Sequence, residues 1–225
     1  MTFSIVGRCQ RSGMFGVAIA TSSICVGARC PHVRAGAGAV ATQNITDPTY
    51  GPRTLDLLAQ GHEAEDALAR ATAGRPHLDY RQIIIVDKSG ATASHTGERI
   101  LGIHAVAAGD NCIAAGNLLA SADVPAAMTG AFASHAGEHL AERLLRALEA
   151  GIGAGGEQGP VHSSALLVAH QHPFAHVDLR CDWDDADPVG VLRRLWTEYE
   201  PQMDAYVTRA IDPPSAPTFG VPGDV

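Results

Sequence analysis

The chain has 225 residues, of which 46% are hydrophobic and 18% are charged, and its formal net charge at pH 7 is −8. This composition excludes a mainly disordered chain, because there are enough apolar side chains to form a core. The acidic balance argues against a nucleic-acid-binding protein and against one held at a membrane by basic residues. The sequence has neither a signal-like start nor an apolar run of about 18 residues, so we expect a soluble, cytoplasmic protein.

Cysteine and lysine usage narrows the chemistry that the chain can perform. The five cysteines are scattered and include no Cys-x-x-Cys pair, which predicts reduced thiols rather than a disulfide framework or a zinc ribbon. Lys88 is the only lysine, and it lies in a predicted turn at residues 87–90. A lysine is therefore nearly unavailable as a catalytic base.

Hydrophobic periodicity in the first hundred residues predicts β-hairpins separated by a block of short helices. The predicted strands cover residues 2–9, 15–21, 35–44, 81–86 and 91–97, and the predicted helices cover residues 53–60 and 62–72. Small side chains in the third strand indicate close packing under another layer. Acidic residues in the first turn and a glycine after the last turn favour the second helix.

The second half of the chain continues this alternation. Strands are expected at residues 106–107, 111–117, 163–169 and 176–182, and helices near residue 121 and at residues 137–150 and 187–199. Residues 151–160 contain five glycines and no apolar periodicity, which predicts a mobile surface loop that could act as a lid. Several prolines in residues 212–225 predict an extended or disordered tail.

Hairpins separated by helices predict an α+β fold with antiparallel sheets and helices on their outer faces. Periodicity alone does not decide between one sheet and two. No internal repeat or shift in composition divides the chain. We therefore expect a single domain over residues 1–211, followed by the tail at residues 212–225.

The start of the chain carries a possible nucleophile. Removal of Met1 would leave Thr2 as an N-terminal threonine at the end of a strand. A free α-amino group has an unperturbed pKa of about 7.7–8.0 and can take the hydroxyl proton near neutral pH, whereas a lysine near about 10.4 needs a large shift. The alternative interpretation is an ordinary strand end with no catalytic role.

Several separated segments resemble an uncharacterised prokaryotic family described as Ntn-hydrolase-like. They are MTFSIV at residues 1–6, GVAIATS at 16–22, AGAVATQ at 37–43, YGPR at 50–53, SHTG at 94–97, GNLL at 116–119 and VDLR at 177–180. The resemblance covers roughly residues 1 to 200 and implies a four-layer αββα sandwich of two antiparallel sheets. It also implies a fold that supports amide-bond hydrolysis by a threonine, serine or cysteine nucleophile.

A threonine nucleophile needs hydrogen-bond donors for the tetrahedral oxyanion and polar groups that orient the substrate. Asn117 follows a glycine and is the first candidate donor, while Gln43 and Asn44 at the end of a small-residue strand are similar candidates. His95 could act as a general acid or contact the substrate. The structural alternatives are turn-shaping amides and a histidine bound to backbone.

A charged strand near the C-terminal end is a further candidate for substrate binding. Asp178, Arg180 and Asp182 alternate along this strand and are expected on one face, where Arg180 could bind a substrate carboxylate. A structural or subunit-interface salt bridge is the alternative interpretation.

The remaining motifs predict neither a metal nor a cofactor. His170, His172 and His176 surround Pro173 and are expected in a polar loop rather than in a zinc site. Cys25 and Cys30 have no identifiable base beside them. Neither a dinucleotide-binding glycine motif nor a Walker-type lysine loop is present.

These observations favour a cofactor-independent hydrolase of a small amide or related C–N bond, with Thr2 as the nucleophile and a small molecule as the substrate. The alternative is a non-enzymatic, oligomeric protein that binds a small ligand on the same fold. Small residues on the predicted helices favour a homodimer in either case. The two hypotheses differ in whether Met1 is removed and whether Thr2 is required.

Overall fold

The computed structural model describes residues 1–218. The α-helices of this part are α1 (Tyr50–Ala59), α2 (Ala64–Thr72), α3 (Val124–Ser134), α4 (Leu140–Gly153), α5 (Pro188–Tyr199) and α6 (Met203–Ile211). Its strands are β1 (Thr2–Arg8), β2 (Phe15–Thr21), β3 (Pro31–Arg34), β4 (Gly38–Asn44), β5 (Arg81–Asp87), β6 (Thr92–Thr96), β7 (Ala105–Gly109), β8 (Cys112–Asn117), β9 (Ser163–Ala169) and β10 (Val177–Cys181).

The strands form two sheets. The first has six strands in the order β10-β9-β2-β1-β8-β7, and the second has four strands in the order β3-β4-β5-β6. Every strand pair in both sheets is antiparallel. The predicted α+β class with antiparallel sheets is therefore confirmed, and the number of sheets, which periodicity left open, is two.

Strand β1 is buried on both faces, which explains why its sequence lacks a clear alternation of polar and apolar residues. Phe3 and Ile5 belong to the apolar cluster that contains the side chains of α3 and α4. Val6 belongs to a different cluster, which includes Ala41 of β4 and Ile84 of β5. Because successive residues of a strand point to opposite faces, Thr2 and Ser4 face the second sheet together with Val6.

The helices cover the faces of the sheets that point away from each other. Helices α3, α4 and α5 contact the six-stranded sheet, whereas α1 and α2 contact the four-stranded sheet. The leucine stripe predicted for α4 is fully buried and comprises Leu140, Leu144, Leu145 and Leu148. Burying each such side chain stabilises the fold by about 1.5–3 kcal/mol.

Some predicted boundaries are wrong. Helix α4 continues through Gly151 and ends at Gly153, so the predicted loop at residues 151–160 is helical in its first part. The rest of this segment contacts the fold, because Leu119 and Glu157 form a β-bridge and Glu157 is only 5% exposed. Part of the segment predicted as a mobile loop is therefore helical or packed against the fold.

The C-terminal part of the chain contains a helix that periodicity missed. Helix α5 ends at Tyr199, just before Pro201, and α6 begins two residues after this proline at Met203. Residues 213–215 form a short helical turn in the predicted tail, and the rest of the tail beyond residue 218 lies outside the described residues. No helix within residues 1–218 has the length and apolar character needed to cross a membrane.

Candidate functional site

Thr2 is the first residue of β1, a central strand of the six-stranded sheet. Its neighbours across the ladder are Thr21 at the end of β2 and Asn117 at the end of β8. Directly opposed residues of antiparallel strands project from the same face. The three polar side chains therefore face the second sheet at one end of the fold, and all three are buried.

The hydroxyl groups of Thr2 and Thr21 both bind the carbonyl oxygen of Met1. Thr2 Oγ1 lies 2.5 Å from Met1 O and 3.1 Å from Thr21 Oγ1. The Thr21 hydroxyl donates to the same carbonyl. With Met1 in place, the nitrogen of Thr2 belongs to a peptide bond and has no basic lone pair. The arrangement therefore offers a buried hydroxyl group but no free α-amine beside it.

A buried amide network lies between the sheets beside Thr2. Ser4 Oγ donates to Gln43 Oε1 at 2.6 Å, and Gln43 Nε2 donates to Gln82 Oε1 at 2.7 Å. Asn117 Nδ2 reaches the same Gln82 oxygen at 3.5 Å. The buried Asn117 Oδ1 has no hydrogen-bond partner among the described residues. Asn117 joins this network only through the long contact to Gln82, so its amide group is weakly engaged.

A small polar cavity of about 240 Å³ opens on Thr2. Its lining residues are Thr2, Thr21, Ser23, Val26, Arg29, Cys30, Asn44 and Thr46. Arg29 is the charged member of this set, and its Nη1 donates to the carbonyl oxygen of Ile24 at 2.6 Å. Asn44 is held by donation of Nδ2 to Tyr80 O at 2.8 Å. The cavity is large enough for a compact substrate.

Glu157 is a buried acidic residue that sequence analysis missed and that interacts electrostatically with the start of the chain. Neither carboxylate oxygen has a hydrogen-bond partner among the described residues. Burial raises the pKa of Glu157 to about 8, and the positive charge of the Met1 amino group opposes this rise. The sequence signal was a single acidic residue within a glycine-rich segment, which we interpreted as a surface loop.

The remaining site predictions divide into two groups. Gln43, Asn44 and Asn117 do lie close to Thr2, as the cavity lining and the amide network show. His95 does not. It pairs with Ile83, whose side chain packs among the residues of α1 and α2 on the outer face of the four-stranded sheet.

The geometry of His95 agrees with the structural alternative. Its ring nitrogen Nε2 lies 3.1 Å from the carbonyl oxygen of Leu78, and its neighbours line a separate cavity on the α2 side. Thr96, one residue later, faces the amide network and accepts from Gln82 Nε2 at 3.5 Å. A shift of one residue along β6 thus separates the face toward Thr2 from the face toward the helices.

Asp178, Arg180 and Asp182 also lie away from Thr2. Asp178 and Arg180 lie on the edge strand β10, and Asp182 follows its last residue. Arg180 Nε donates to Asp178 Oδ1 at 2.8 Å in an exposed ion pair. None of the three residues lines the Thr2 cavity. The salt bridge that we kept as the alternative interpretation is present within one strand.

The structure also shows the state of the cysteines and whether side chains are grouped as metal ligands. All five cysteines are free, and Cys25 is the one that is not buried. In residues 1–218, no three His, Cys, Asp or Glu side chains are grouped in a way that could hold a metal ion.

A family model described as "Family of unknown function (DUF1028)" matches residues 2–192. The chain belongs to this family. The crystal structure of protein SPO2555 from Silicibacter pomeroyi, also described as DUF1028, shares 34% sequence identity with it. The similarity covers 88% of this chain and 85% of that chain, with a TM-score of 0.81. The DUF1028 fold is therefore shared across most of both chains.

More distant solved structures include two proteins named Anbu (ancestral beta-subunit). Anbu from Yersinia bercovieri has 10% identity and a TM-score of 0.40, and covers 91% of this chain and 97% of its own. A Gly-1 mutant of Anbu from Hyphomicrobium sp. strain MC1 has 11% identity, a TM-score of 0.42 and the same coverage. At these scores the likeness carries no argument about function. No curated protein matches the DUF1028 chain.

Proposed function

We propose that this DUF1028 protein is an Ntn-type hydrolase of small amides or related C–N bonds, with Thr2 as its nucleophile after removal of Met1. The observation that supports it is the position of Thr2, whose hydroxyl begins a central strand and opens on a polar cavity. The helices outside two facing antiparallel sheets support a four-layer αββα sandwich, the architecture that the sequence resemblance implies.

Loss of Met1 would free both groups that the reaction needs. The Thr2 hydroxyl would no longer bind the Met1 carbonyl, and the Thr2 nitrogen would become a primary amine. In the proposed first step, Thr2 Oγ1 attacks the substrate carbonyl carbon while the α-amine takes the hydroxyl proton. The charge that develops on the carbonyl oxygen requires a nearby donor, and the Asn117 side-chain amide is our candidate.

The second half of the proposed reaction restores the nucleophile. The protonated α-amine gives its proton to the departing amine as the C–N bond breaks, leaving an ester on Thr2 Oγ1. Water then attacks this ester, and the proton it loses returns through the α-amine to Thr2 Oγ1. The products are a carboxylic acid and an amine, and neither a cofactor nor an external oxidant takes part.

A second candidate function is binding of a small ligand without catalysis. The contacts around Met1 favour it, because both threonine hydroxyls are already engaged by the Met1 carbonyl. In this case Met1 stays in place and the cavity of about 240 Å³ holds the ligand.

The first prediction separates these candidates through the state of the amino terminus. Intact mass spectrometry of the purified protein should show loss of one methionine, and periodate should oxidise the exposed 1,2-amino alcohol of Thr2. Thr2→Ala should lower amide hydrolysis by at least about 10³-fold, because no nucleophile remains. Thr197→Ala, a helical surface threonine in α5, is the matched control and should keep full activity.

Retention of Met1 would contradict the hydrolase proposal and leave ligand binding as the better explanation. Equal hydrolysis by the processed wild-type and Thr2→Ala proteins would also contradict it. The substrates for this comparison are primary amides, N-acyl amino acids and amino acid amides, which share the scissile C–N bond.

A further inference from the structure

Glu157 is a buried carboxyl group without a side-chain partner, and besides the Met1 amino group the backbone of Ser22 acts on it. The residue is 5% exposed, and neither Oε1 nor Oε2 has a hydrogen-bond partner among the described residues. An ionised carboxylate in this situation is unfavourable unless a cation lies nearby. The charge that acts on it is the Met1 ammonium group. The position therefore fits a primary ammonium group.

Met1 occupies a defined site rather than extending into solvent. Its carbonyl oxygen accepts hydrogen bonds from Thr2 and Thr21, and its ammonium charge acts on Glu157. Its side chain lies over Gly159, where an added Cβ would come 2.9 Å from Met1 Cε. Each of the three parts of this residue, the carbonyl, the ammonium and the side chain, thus has its own surroundings.

The Met1–Thr2 peptide resembles an acyl-enzyme in its connectivity. In the peptide, the Met1 carbonyl carbon is bonded to Thr2 N, and in the proposed intermediate a substrate acyl carbon is bonded to Thr2 Oγ1. Thr2 Oγ1 already lies 2.5 Å from the Met1 carbonyl oxygen. An acyl group on the hydroxyl would therefore enter the space that Met1 leaves, where the charge of an α-ammonium group acts on Glu157.

From this geometry we propose that the substrates are amides of α-amino acids with a free α-ammonium group, and that Glu157 binds this ammonium. The inference rests on the proposed hydrolase function and specifies its substrate class. Hydrogen bonds to charged groups contribute about 1.5–3 kcal/mol, which corresponds to about 10-fold to 100-fold in binding. Glu157 acts here on substrate recognition, and the Thr2 α-amine keeps the role of base.

The second prediction concerns binding of the substrate ammonium group by Glu157. Binding can be measured in a protein that does not turn the substrate over. Processed Thr2→Ala protein is titrated by calorimetry with L-methioninamide and with N-acetyl-L-methioninamide. We expect L-methioninamide to bind at least about 10-fold more tightly, and Glu157→Gln in the same background to remove this preference. Glu198→Gln, an exposed position on α5, should leave the preference unchanged.

Steady-state kinetics of the processed enzyme then test whether Glu157 acts on the free ammonium group of the substrate. Glu157→Gln should lower kcat/KM for L-methioninamide by at least about 10-fold and leave that for N-acetyl-L-methioninamide nearly unchanged. Gly159→Val should shift the preference from L-methioninamide to L-alaninamide, because its side chain fills the space beside Met1 Cε. Melting curves identify any variant that fails to fold.

The two proposals fail in different ways. If Met1 is removed and Thr2 is required, but Glu157→Gln lowers the rates for free and acetylated amides equally, Glu157 serves the Thr2 amine and the substrate class is wrong. Equal binding of the two amides to the Thr2→Ala protein would also overturn it. Retention of Met1 or hydrolysis by Thr2→Ala would instead overturn the hydrolase function itself.

Discussion

Individual buried polar residues define this site more sharply than any sequence motif. Asn117 and Gln43 could be identified because each stands at the end of a strand of small or apolar residues. Gln82 could not be identified, because a glutamine near the start of an apolar strand is usually exposed to solvent. It is fully buried because it lies between two sheets whose pairing depends on distant parts of the chain.

The third prediction concerns this residue. Gln82→Leu should lower the free energy of unfolding by about 1–3 kcal/mol, because Gln43 Nε2 loses its acceptor while staying buried. Urea denaturation of the variant and the wild type measures the difference. Gln60→Leu, at an exposed helix end, should change stability by less than about 0.5 kcal/mol. A Gln82→Leu protein as stable as the wild type would show that the network contributes nothing to the fold.

A second residue-scale property is the protonation of His139. The pKa of this side chain is lowered to about 4, chiefly by burial and then by the charge of His176, whereas Asp204 opposes the shift. His170 also lowers it, and the ring stacks on Trp196 with centroids 5.4 Å apart. The unfolded chain, with an ordinary histidine pKa near about 6.5, therefore binds a proton that the folded state excludes.

The fourth prediction follows from this difference. Stability should be fully present above about pH 6.5, fall as the pH decreases from about 6.5 to 4, and lose about 2 kcal/mol in that range through His139. Urea unfolding at several pH values measures the slope. His139→Asn, which keeps a helix-capping side chain, should flatten it, whereas the exposed His104→Asn should not. An unchanged slope in His139→Asn would contradict the assignment.

At the scale of elements, the approach of α4 to the six-stranded sheet depends on glycine. A Cβ at Gly16 in β2 would lie 2.5 Å from Leu144 Cδ1 and 3.0 Å from the carbonyl oxygen of Leu167. A Cβ at Gly7 in β1 would also contact Leu144, at 3.4 Å. Glycine normally weakens a strand, but here it allows the helix to pack closely on the sheet.

The fifth prediction tests this packing. Gly16→Ala should destabilise the protein by about 1–3 kcal/mol, because the added methyl group overlaps a buried leucine and a backbone oxygen. Gly153→Ala is the matched control, since nothing lies within 4 Å of its added Cβ at the end of α4. That variant should be neutral or more stable by up to about 1 kcal/mol. Thermal unfolding of both variants gives the comparison, and equal melting temperatures would refute the close-packing explanation.

Elements with a strong local pattern could be predicted, and those defined by tertiary contact could not. The leucine stripe of α4 and the turn between β5 and β6 are local signals, and both elements are present where expected. Residues 155–160 have no local sequence pattern that predicts a helix or strand. Their position depends instead on a tertiary contact, the bridge between Leu119 and Glu157. His95 is a similar case, because a one-residue difference in register decides which face of β6 a side chain occupies, and local pattern does not give that register.

At the scale of the whole molecule, sequence analysis gave the α+β class but not the order of the strands. The contacts that build the six-stranded sheet, β1 with β8 and β2 with β9, join segments that are far apart in the chain. Local periodicity contains no information about such pairs. Asn117 was a candidate because it is an amide that follows a glycine, and its direct pairing with Thr2 required the structure.

Because β1 is a central strand, its pairing with β8 can be completed only late in synthesis. Thr2 is among the first residues to leave the ribosome, but its partner Asn117 is made much later, and at about 5–20 residues per second this takes at least several seconds. During that interval the first residues lack the strand that later buries them. For the proposed hydrolase, this interval is when an aminopeptidase reaches Met1 most easily, because Thr2 is only 6% exposed once the sheet is complete. Slow processing in a fast-expressing host would then leave a larger share of the molecules with Met1 in place.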